Sequence, residues 1–463
     1  MGITEVAPRT SQRGCAQAPW DDAFTGSERY MLDIRFIVEN RDRVAHNAKL
    51  RGFEVDVDRI VALDTDRRRL VVALDTVRAA AKRLSRSQRG KPSEEDRAQA
   101  RELRDEERRL STGLASLNDE LQRLLSYVPN MLDPRVPIGD EDAYTVLRHV
   151  GEPHPFDFEP RSHDELGVRL GVLDFEHAVN TAGSRFYNLV GQGVLLRMAL
   201  TRMFVDMVAG QGFTLVSPPY LAKDRTMFIA GYLPFAEKDN FRVEGQELSL
   251  IGTSEQSLLG MHADEILPRL PLLYLGDSMC FRTEAGSYGR DVKGMIRVHQ
   301  FYKLEQLVYA HPDDAERLHL LCLDNEEQFM KDLGVPYRVI ICSSADLAAP
   351  GAFKYDTEAW LPSQRRYREM TSNTNLTDFQ TRRGNIRYKT PEGGRIFPYT
   401  ISATGWCDRL IAALLENHQR PDGSVRIPDK LVPYMGGLTE LTRGLSAGVG
   451  PEPSTPIPVE EAL

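Results

Sequence analysis

From Ile60 onward, apolar residues recur at alternating three- and four-residue intervals: Ile60, Leu63, Leu70, Leu74, Val77, Ala81 and Leu84, with Arg67 breaking the seam once. After a polar stretch over residues 85–96 the alternation returns as Leu103, Leu110, Leu114, Leu117, Leu121 and Leu124, with Glu107 as its single break. This spacing predicts two heptad-patterned helices folded into an antiparallel coiled-coil hairpin. At 1.5 Å per residue, helices of about 30 residues are roughly 45 Å long, so the hairpin must project from any compact body.

The helical pattern stops at residues 128–137, a proline-rich stretch that reads as a rigid connector. Beyond it, short strand-like runs (residues 213–216 and 248–251) alternate with helical stretches (191–209 and 410–416), with no parallel strand-helix repeat. An antiparallel sheet with helices packed against it, an α+β body, is expected. The predicted division is a disordered extension over 1–30, the arm over 31–135, the body over 136–437 and a proline-rich mobile tail over 438–463. Met31 opens the first clearly patterned segment and is the natural beginning of the folded part.

A length of 463 residues suits two domains, and 41% hydrophobic with 27% charged residues is ordinary for a globular protein. Charge distribution changes the picture more than its total. The chain carries −9, yet residues 60–110 hold 14 Lys and Arg against 10 acids, which makes the arm +4 and everything else −13. A projecting basic arm on an acidic body suits a nucleic-acid backbone, and Arg83, Arg86, Arg89 and Lys91 near the predicted tip are the candidate contacts. A solvated coiled coil or a dimerisation arm would carry the same periodicity. Five scattered cysteines with no paired spacing predict reduced thiols in a reducing cytoplasm and no zinc site. No apolar run reaches the roughly 20 residues of a membrane helix, and no secretion signal opens the chain, so a cytoplasmic protein with no membrane partner is expected.

The densest candidate chemistry lies in residues 280–305, where two strand-like runs flank a loop rich in glycine and charge. Arg282 and Glu284 fall two apart, and Arg297, His299, Phe301, Lys303 and Glu305 alternate on the return run, so strand geometry would bring each set to one face. Such a surface can hold phosphate through arginine, stack a base on Phe301 and bind an ammonium at Glu305. A solvated hairpin of paired charges is the plain alternative, and His299 reads as structural.

Residues 31 to about 437 resemble the seryl-tRNA synthetases, a family of class II aminoacyl-tRNA synthetases. The likeness lies in order and spacing. Val216-Ser-Pro-Pro-Tyr-Leu221, with Pro219, is similar to class II motif 1, Gly252-Thr-Ser-Glu255 to the family's Thr-Ala-Glu loop, and the 280–305 hairpin to motif 2. Tyr367 to Asn375 followed by Asp378 to Arg383 resembles the next signature, and Arg409 stands where motif 3 carries its arginine. The resemblance implies a class II sheet and a homodimer built through motif 1. It implies an ATP- and Mg2+-dependent ligase forming seryl-adenylate and charging tRNA(Ser). By the same resemblance Arg282 and Arg409 are catalytic, and the ATP site comprises Arg282, Thr283, Glu284, Phe301, Glu369, Met370, Thr371, Ser372 and Arg409. Glu369 and Ser372 would hold the metal, and Thr253, Ser254, Glu255, Arg282, Glu305 and Ala403 the amino acid.

The motif 3 loop departs from the family. A gapless alignment puts Ile401 at its asparagine, Ala403 at its hydroxyl residue and Asp408 beside Arg409, while a one-residue slip gives the hydroxyl role to Ser402. Asp408 is positioned to pair with Arg409 and compete with phosphate. These changes leave two further readings: a paralogue activating serine or another small amino acid for a biosynthetic or antibiotic-resistance pathway, and a non-catalytic tRNA-binding protein.

Overall fold

The computed structural model describes residues 32–87, 93–285 and 293–443. Residues 1–31, including Met31, residues 88–92 with Arg89 and Lys91, the glycine-rich loop at 286–292 and residues 444–463 lie outside the described residues.

Helices α1 (Ile34–Glu39) and α2 (Arg41–Leu50) precede the predicted hairpin, formed by α3 (Val57–Ser87) and α4 (Glu94–Ser126). A capping box, Ser93 with Asp96, starts α4 by satisfying its first backbone N–H groups. Both seam breaks are paired: Arg67 reaches the buried Asp64 on its own helix (2.7 Å), and Arg78 crosses to Glu107 (2.9 Å). At its base, the hairpin buries Ile60, Leu63, Leu121 and Leu125 against Ile34, Ile37 and Val44 of α1 and α2.

The body is built on an eight-stranded sheet: β1 (Thr145–Val150), β2 (Thr214–Val216), β3 (Leu272–Phe281), β4 (Gln300–Ala310), β5 (Tyr337–Ile341), β6 (Phe353–Leu361), β7 (Arg366–Thr377) and β8 (Tyr399–Cys407). Their spatial order is β1-β5-β6-β7-β8-β4-β3-β2. All pairs are antiparallel except the edge pair, where β2 runs parallel to β3. Helices α5 (Gln192–Val208), α6 (Asp224–Ala230), α7 (Ser254–Met261), α8 (Ala315–Asp332), α9 (Phe379–Arg383) and α10 (Arg409–Asn417) surround it. Part of the expected tail is ordered structure: Glu440–Leu441 pairs antiparallel with Val425–Arg426, and Leu441 is buried.

Two buried arginines join the hairpin base to the body. Arg51 donates to the carbonyls of Asn130, Leu347, Ala348 and Ala349, and burial lowers its pKa to about 10. Arg383 donates to Phe228, Leu233 and Ser126, the last residue of α4, while lying over the Phe228, Phe235 and Phe379 rings. Neither is described with a carboxylate partner, so carbonyl dipoles and ring faces carry the compensation that a buried cation requires.

Among the described residues no helix is long and apolar enough to cross a membrane. Cys280, Cys322, Cys342 and Cys407 are buried free thiols.

Candidate active site

One face of the sheet opens into a cavity of about 640 Å3. Its contents follow from strand alternation. On β4, Phe301, Lys303 and Glu305 face the cavity, while Val308 and Ala310 pack against α8 on the other face. On β8, Ser402 and Thr404 face the cavity, whereas Ile401 and Ala403 are buried against Ala315, Leu318 and Cys322 of α8. Ala403 therefore does not line the site; the hydroxyl there is Ser402, one position earlier, as the slipped alignment has it.

Two bulges set the remaining positions. In the β6–β7 ladder Thr357 opposes Thr371 and the next residue, Glu358, opposes Glu369, leaving Met370 as the extra residue. Glu369 and Ser372, three apart, thereby reach the same wall together with Met370. Thr371 points the other way and donates to buried Glu326 (2.6 Å), so it is not on the cavity wall. In β8 a register shift at Gly405 buries Trp406 in the core against Tyr302 (ring centroids 5.1 Å) and returns Cys407 and Arg409 to the cavity.

The hairpin is shorter than alternation suggested. β3 ends at Phe281 and β4 starts at Gln300, so Arg282, Glu284, Arg297 and His299 lie on the connecting segments. Glu284 adopts a left-handed backbone (φ 53°) and accepts from Arg297 Nη1 at 2.5 Å. Convergence comes from this turn, because Arg282 and Glu284 both line the cavity. Arg282 lies 5.4 Å over the Phe301 ring and donates to Gly252 O (3.3 Å). Thr283 is not on the cavity wall; its hydroxyl donates to Lys238 O (2.6 Å) and fastens the segment from outside. His299 is structural: its Nδ1 bonds Arg282 O (3.0 Å) and its ring lies near Phe186 and Phe241.

Across the cavity, Arg409 donates to the carbonyls of Ile296 (2.9 Å) and Glu369 (3.2 Å) and pairs with the Glu369 carboxylate at 3.2 Å. Burial pushes the Glu369 carboxyl up, but Arg409, Lys354 and Arg282 outweigh it and hold the group below its ordinary range. Asp408 does not compete for Arg409. Its Oδ2 accepts from Tyr187 OH and from the Tyr302 amide (2.8 Å), and burial pushes the carboxyl up to about 6.

The inner end holds a second cluster. Thr253 immediately precedes α7, and its buried hydroxyl has no hydrogen-bond partner. Glu255, in the first turn of α7, accepts from Gln380 and meets Ser402 Oγ at 2.9 Å; burial and the nearby Glu305 push its carboxyl up. Glu305 meets Ser402 Oγ at 2.7 Å and Lys303 Nζ at 2.6 Å. Ser254 is absent from this wall because it packs on β3: a Cβ at Gly276 would lie 2.3 Å from its Oγ. Gln380 and Lys354 were not assigned from sequence; the Gln380 contact to Glu255 spans 125 residues and leaves no periodic trace. Phe53, between α2 and α3, also reaches the cavity wall.

Among the described residues one group of potential metal ligands stands out: Cys342, Asp346 and Asp356, with donor atoms within 4.8 Å of one another. Lys354 Nζ already lies 2.7 Å from Asp346 and 3.2 Å from Asp356, so an internal ammonium occupies the space between these carboxylates and offsets part of their charge. At the arm, Arg83 and Arg86 are exposed.

Residues 31–132 match the family described as the seryl-tRNA synthetase N-terminal domain, and residues 238–418 match the tRNA synthetase class II core domain (G, H, P, S and T). A serine-tRNA ligase from Thermobifida fusca is 43% identical over 412 residues, spanning 88% of this chain and 98% of the relative. The chain belongs to the serine-tRNA ligase family. A second family member, from Rubrobacter xylanophilus, is 41% identical over 416 residues, covering 88% of this chain and 98% of its own length. Among solved structures, the seryl-tRNA synthetase of Pyrococcus horikoshii complexed with ATP superposes with a TM-score of 0.84 at 36% identity, covering 89% of this chain and 99% of that one. The class II fold and the seryl-type arm expected from the sequence are thus those of this serine-tRNA ligase family member.

Proposed function

We propose that the cavity joins an amino acid to ATP as an aminoacyl-adenylate and passes the acyl group to the terminal ribose of a tRNA, with serine and tRNA(Ser) as first choices. The observation that carries this reading is the pairing of two half-buried guanidiniums, Arg282 and Arg409, with an acid cluster at the inner end of the same cavity. In adenylation an amino-acid carboxylate attacks the α-phosphorus in line and pyrophosphate leaves. Charge grows on phosphate oxygens, where fixed cations stabilise the transition state. No protein general base is required, because the attacking carboxylate is already ionised near neutral pH.

In this reading Arg282 meets the α-phosphate, Glu284 the adenine edge, and Phe301 with Arg409 the two faces of the base. The geometry asks for one rearrangement: Arg282 lies over the Phe301 ring and must withdraw for a base to stack there. Glu369 and Ser372 are hard oxygen donors on one wall, and Glu369 is held ionised by its cationic neighbours, so the pair fits magnesium. Bound there, magnesium would neutralise polyphosphate charge. Thr253, Glu255 and Glu305 would take the amino acid's ammonium and side chain.

The tRNA would lie along the basic arm and contact Arg83 and Arg86. A homodimer is supported by the open sheet edge at β2, where Leu215 is exposed, and by further exposed apolar side chains, Leu195 and Met198 on α5 and Leu221. The placement of Ser402 on the cavity wall, with Ala403 turned away, also suits a second reading, a paralogue that activates serine or another small amino acid for a specialised pathway.

Amino-acid-dependent exchange of pyrophosphate into ATP tests the proposal. Exchange with serine is expected, and Arg282→Ala or Arg409→Ala should each lower its rate about 100- to 1000-fold. No exchange with any amino acid would sink it.

A further inference from the structure

Glu255 and Glu305 present four carboxyl oxygens at the inner end of the cavity, and this chain satisfies all four. Gln380 Nε2 donates to Glu255 Oε1, and Lys303 Nζ lies 2.6 Å from Glu305 Oε2, an oxygen with no other hydrogen-bond partner. Ser402 Oγ closes the set, at 2.9 Å from Glu255 Oε2 and 2.7 Å from Glu305 Oε1. A hydroxyl has one proton, so only one of these two contacts can be its donation; the other needs a proton on a carboxyl. Glu305 already faces an ammonium, so the geometry assigns that proton to the Ser402–Glu255 contact, the direction in which burial and Glu305 push the Glu255 carboxyl. The result is a chain from the Glu255 carboxyl through the Ser402 hydroxyl to the Glu305 carboxylate and the Lys303 ammonium. Tyr232, Tyr309, Arg282, Cys280, Cys322 and Glu326 also bear on Glu255, Glu305 or Lys303.

Strong selection of an alcohol works by stranding. A site whose buried polar groups need the substrate hydroxyl rejects an analogue that lacks it, because those groups are left unpaired. Here neither carboxyl is stranded when the substrate brings no hydroxyl, because Glu305 Oε2, which has no hydrogen bond, still has its ion pair with Lys303. Thr253 Oγ1, a buried hydroxyl without a hydrogen-bond partner, suits the ammonium that every α-amino acid carries.

We propose that Ser402 is a specificity-determining residue whose hydroxyl stands in for that of the substrate, so that the site accepts small α-amino acids without a hydroxyl, alanine and glycine, alongside serine. This inference rests on the reading of the cavity as an amino-acid-activating site. Selection at the first step then depends on size and discriminates serine from alanine by no more than about 100-fold, in the range set by apolar contacts alone.

Pyrophosphate exchange on the full chain with serine, alanine and glycine tests it. Alanine should support exchange with kcat/KM within about 100-fold of serine. Ser402→Gly removes the internal donor, so the serine-to-alanine ratio should rise at least about tenfold, mainly through a higher KM for alanine, whereas Ser402→Thr restores the hydroxyl and the wild-type ratio. A wild-type ratio well above about 100, or an unchanged ratio in Ser402→Gly, overturns the proposal. If Ser402→Gly does not fold, the wild-type ratio decides alone. Exchange with serine only would sink this inference and leave the ligase reading standing; exchange with no amino acid would sink both.

Discussion

Replacing Asp408 by Asn separates a structural carboxylate from a competitor of the ATP site. The Asp408 side chain is 1% exposed; its Oδ2 accepts from Tyr187 OH and the Tyr302 amide, and its Oδ1 has no partner. Burial raises the carboxyl from 3.8 to about 6, with smaller opposing effects from Tyr187, Tyr302 and Arg197. The sign follows from proton linkage. Between about pH 4 and pH 6 the folded protein keeps a proton that the unfolded chain has lost, so this group lowers stability as pH rises through that window. Roughly two pKa units at 1.36 kcal/mol each amount to about 3 kcal/mol. Asp408→Asn cannot ionise, so urea unfolding at pH 4, 5, 6 and 7 should show the variant gaining about 3 kcal/mol relative to wild type across the series. Its KM for ATP should stay within about twofold, since the carboxylate faces the tyrosines and not Arg409. Parallel pH profiles for the two proteins, or a KM for ATP that falls about tenfold in the variant, would refute the reasoning.

Two other changes probe the positions of the working parts. Gly276→Ala places a methyl about 2.3 Å from Ser254 Oγ and 2.7 Å from its Cβ, so α7 must move off β3. A loss of about 1–3 kcal/mol in urea unfolding and a higher KM for the amino acid are expected, and unchanged values for both would show that the close approach is not needed. Arg83→Ala with Arg86→Ala should weaken tRNA charging and reduce the slope of log affinity against log salt by about 2, leaving tRNA-independent exchange intact. Equal loss of both activities would refute the separation of arm and site.

The arm was legible in the sequence because heptad spacing is a local signal; even its two breaks, Arg67 and Glu107, have partners within the hairpin. Phe301, Lys303 and Glu305 were legible on one face for the same reason. What defeated simple alternation was a change of phase or of backbone. Ala403 and Thr371 were assigned to the cavity by alignment to a motif, but their strands turn them toward α8. Glu284 and Arg297 meet through a left-handed turn beyond the strand, not through a shared strand face. Asp408 sits next to Arg409 in sequence but faces Tyr187, because the chain changes from strand to helix between them. Gln380 acts through Glu255, 125 residues away, which periodicity does not report.

The extra residues at Met370 and Gly405 act as phase shifters in the sheet, with a consequence for how the gene can change. Deleting either one would interchange inner and outer side chains downstream of it, sending Ser372 toward the helix or Arg409 away from the cavity, although no side chain in the site had been altered. Substitutions along β7 and β8 retune one contact at a time, whereas a single inserted or deleted codon there rewrites the wall. Diversity in this part of the family should therefore take the form of residue exchange at constant strand length, with changes in length confined to the connecting loops.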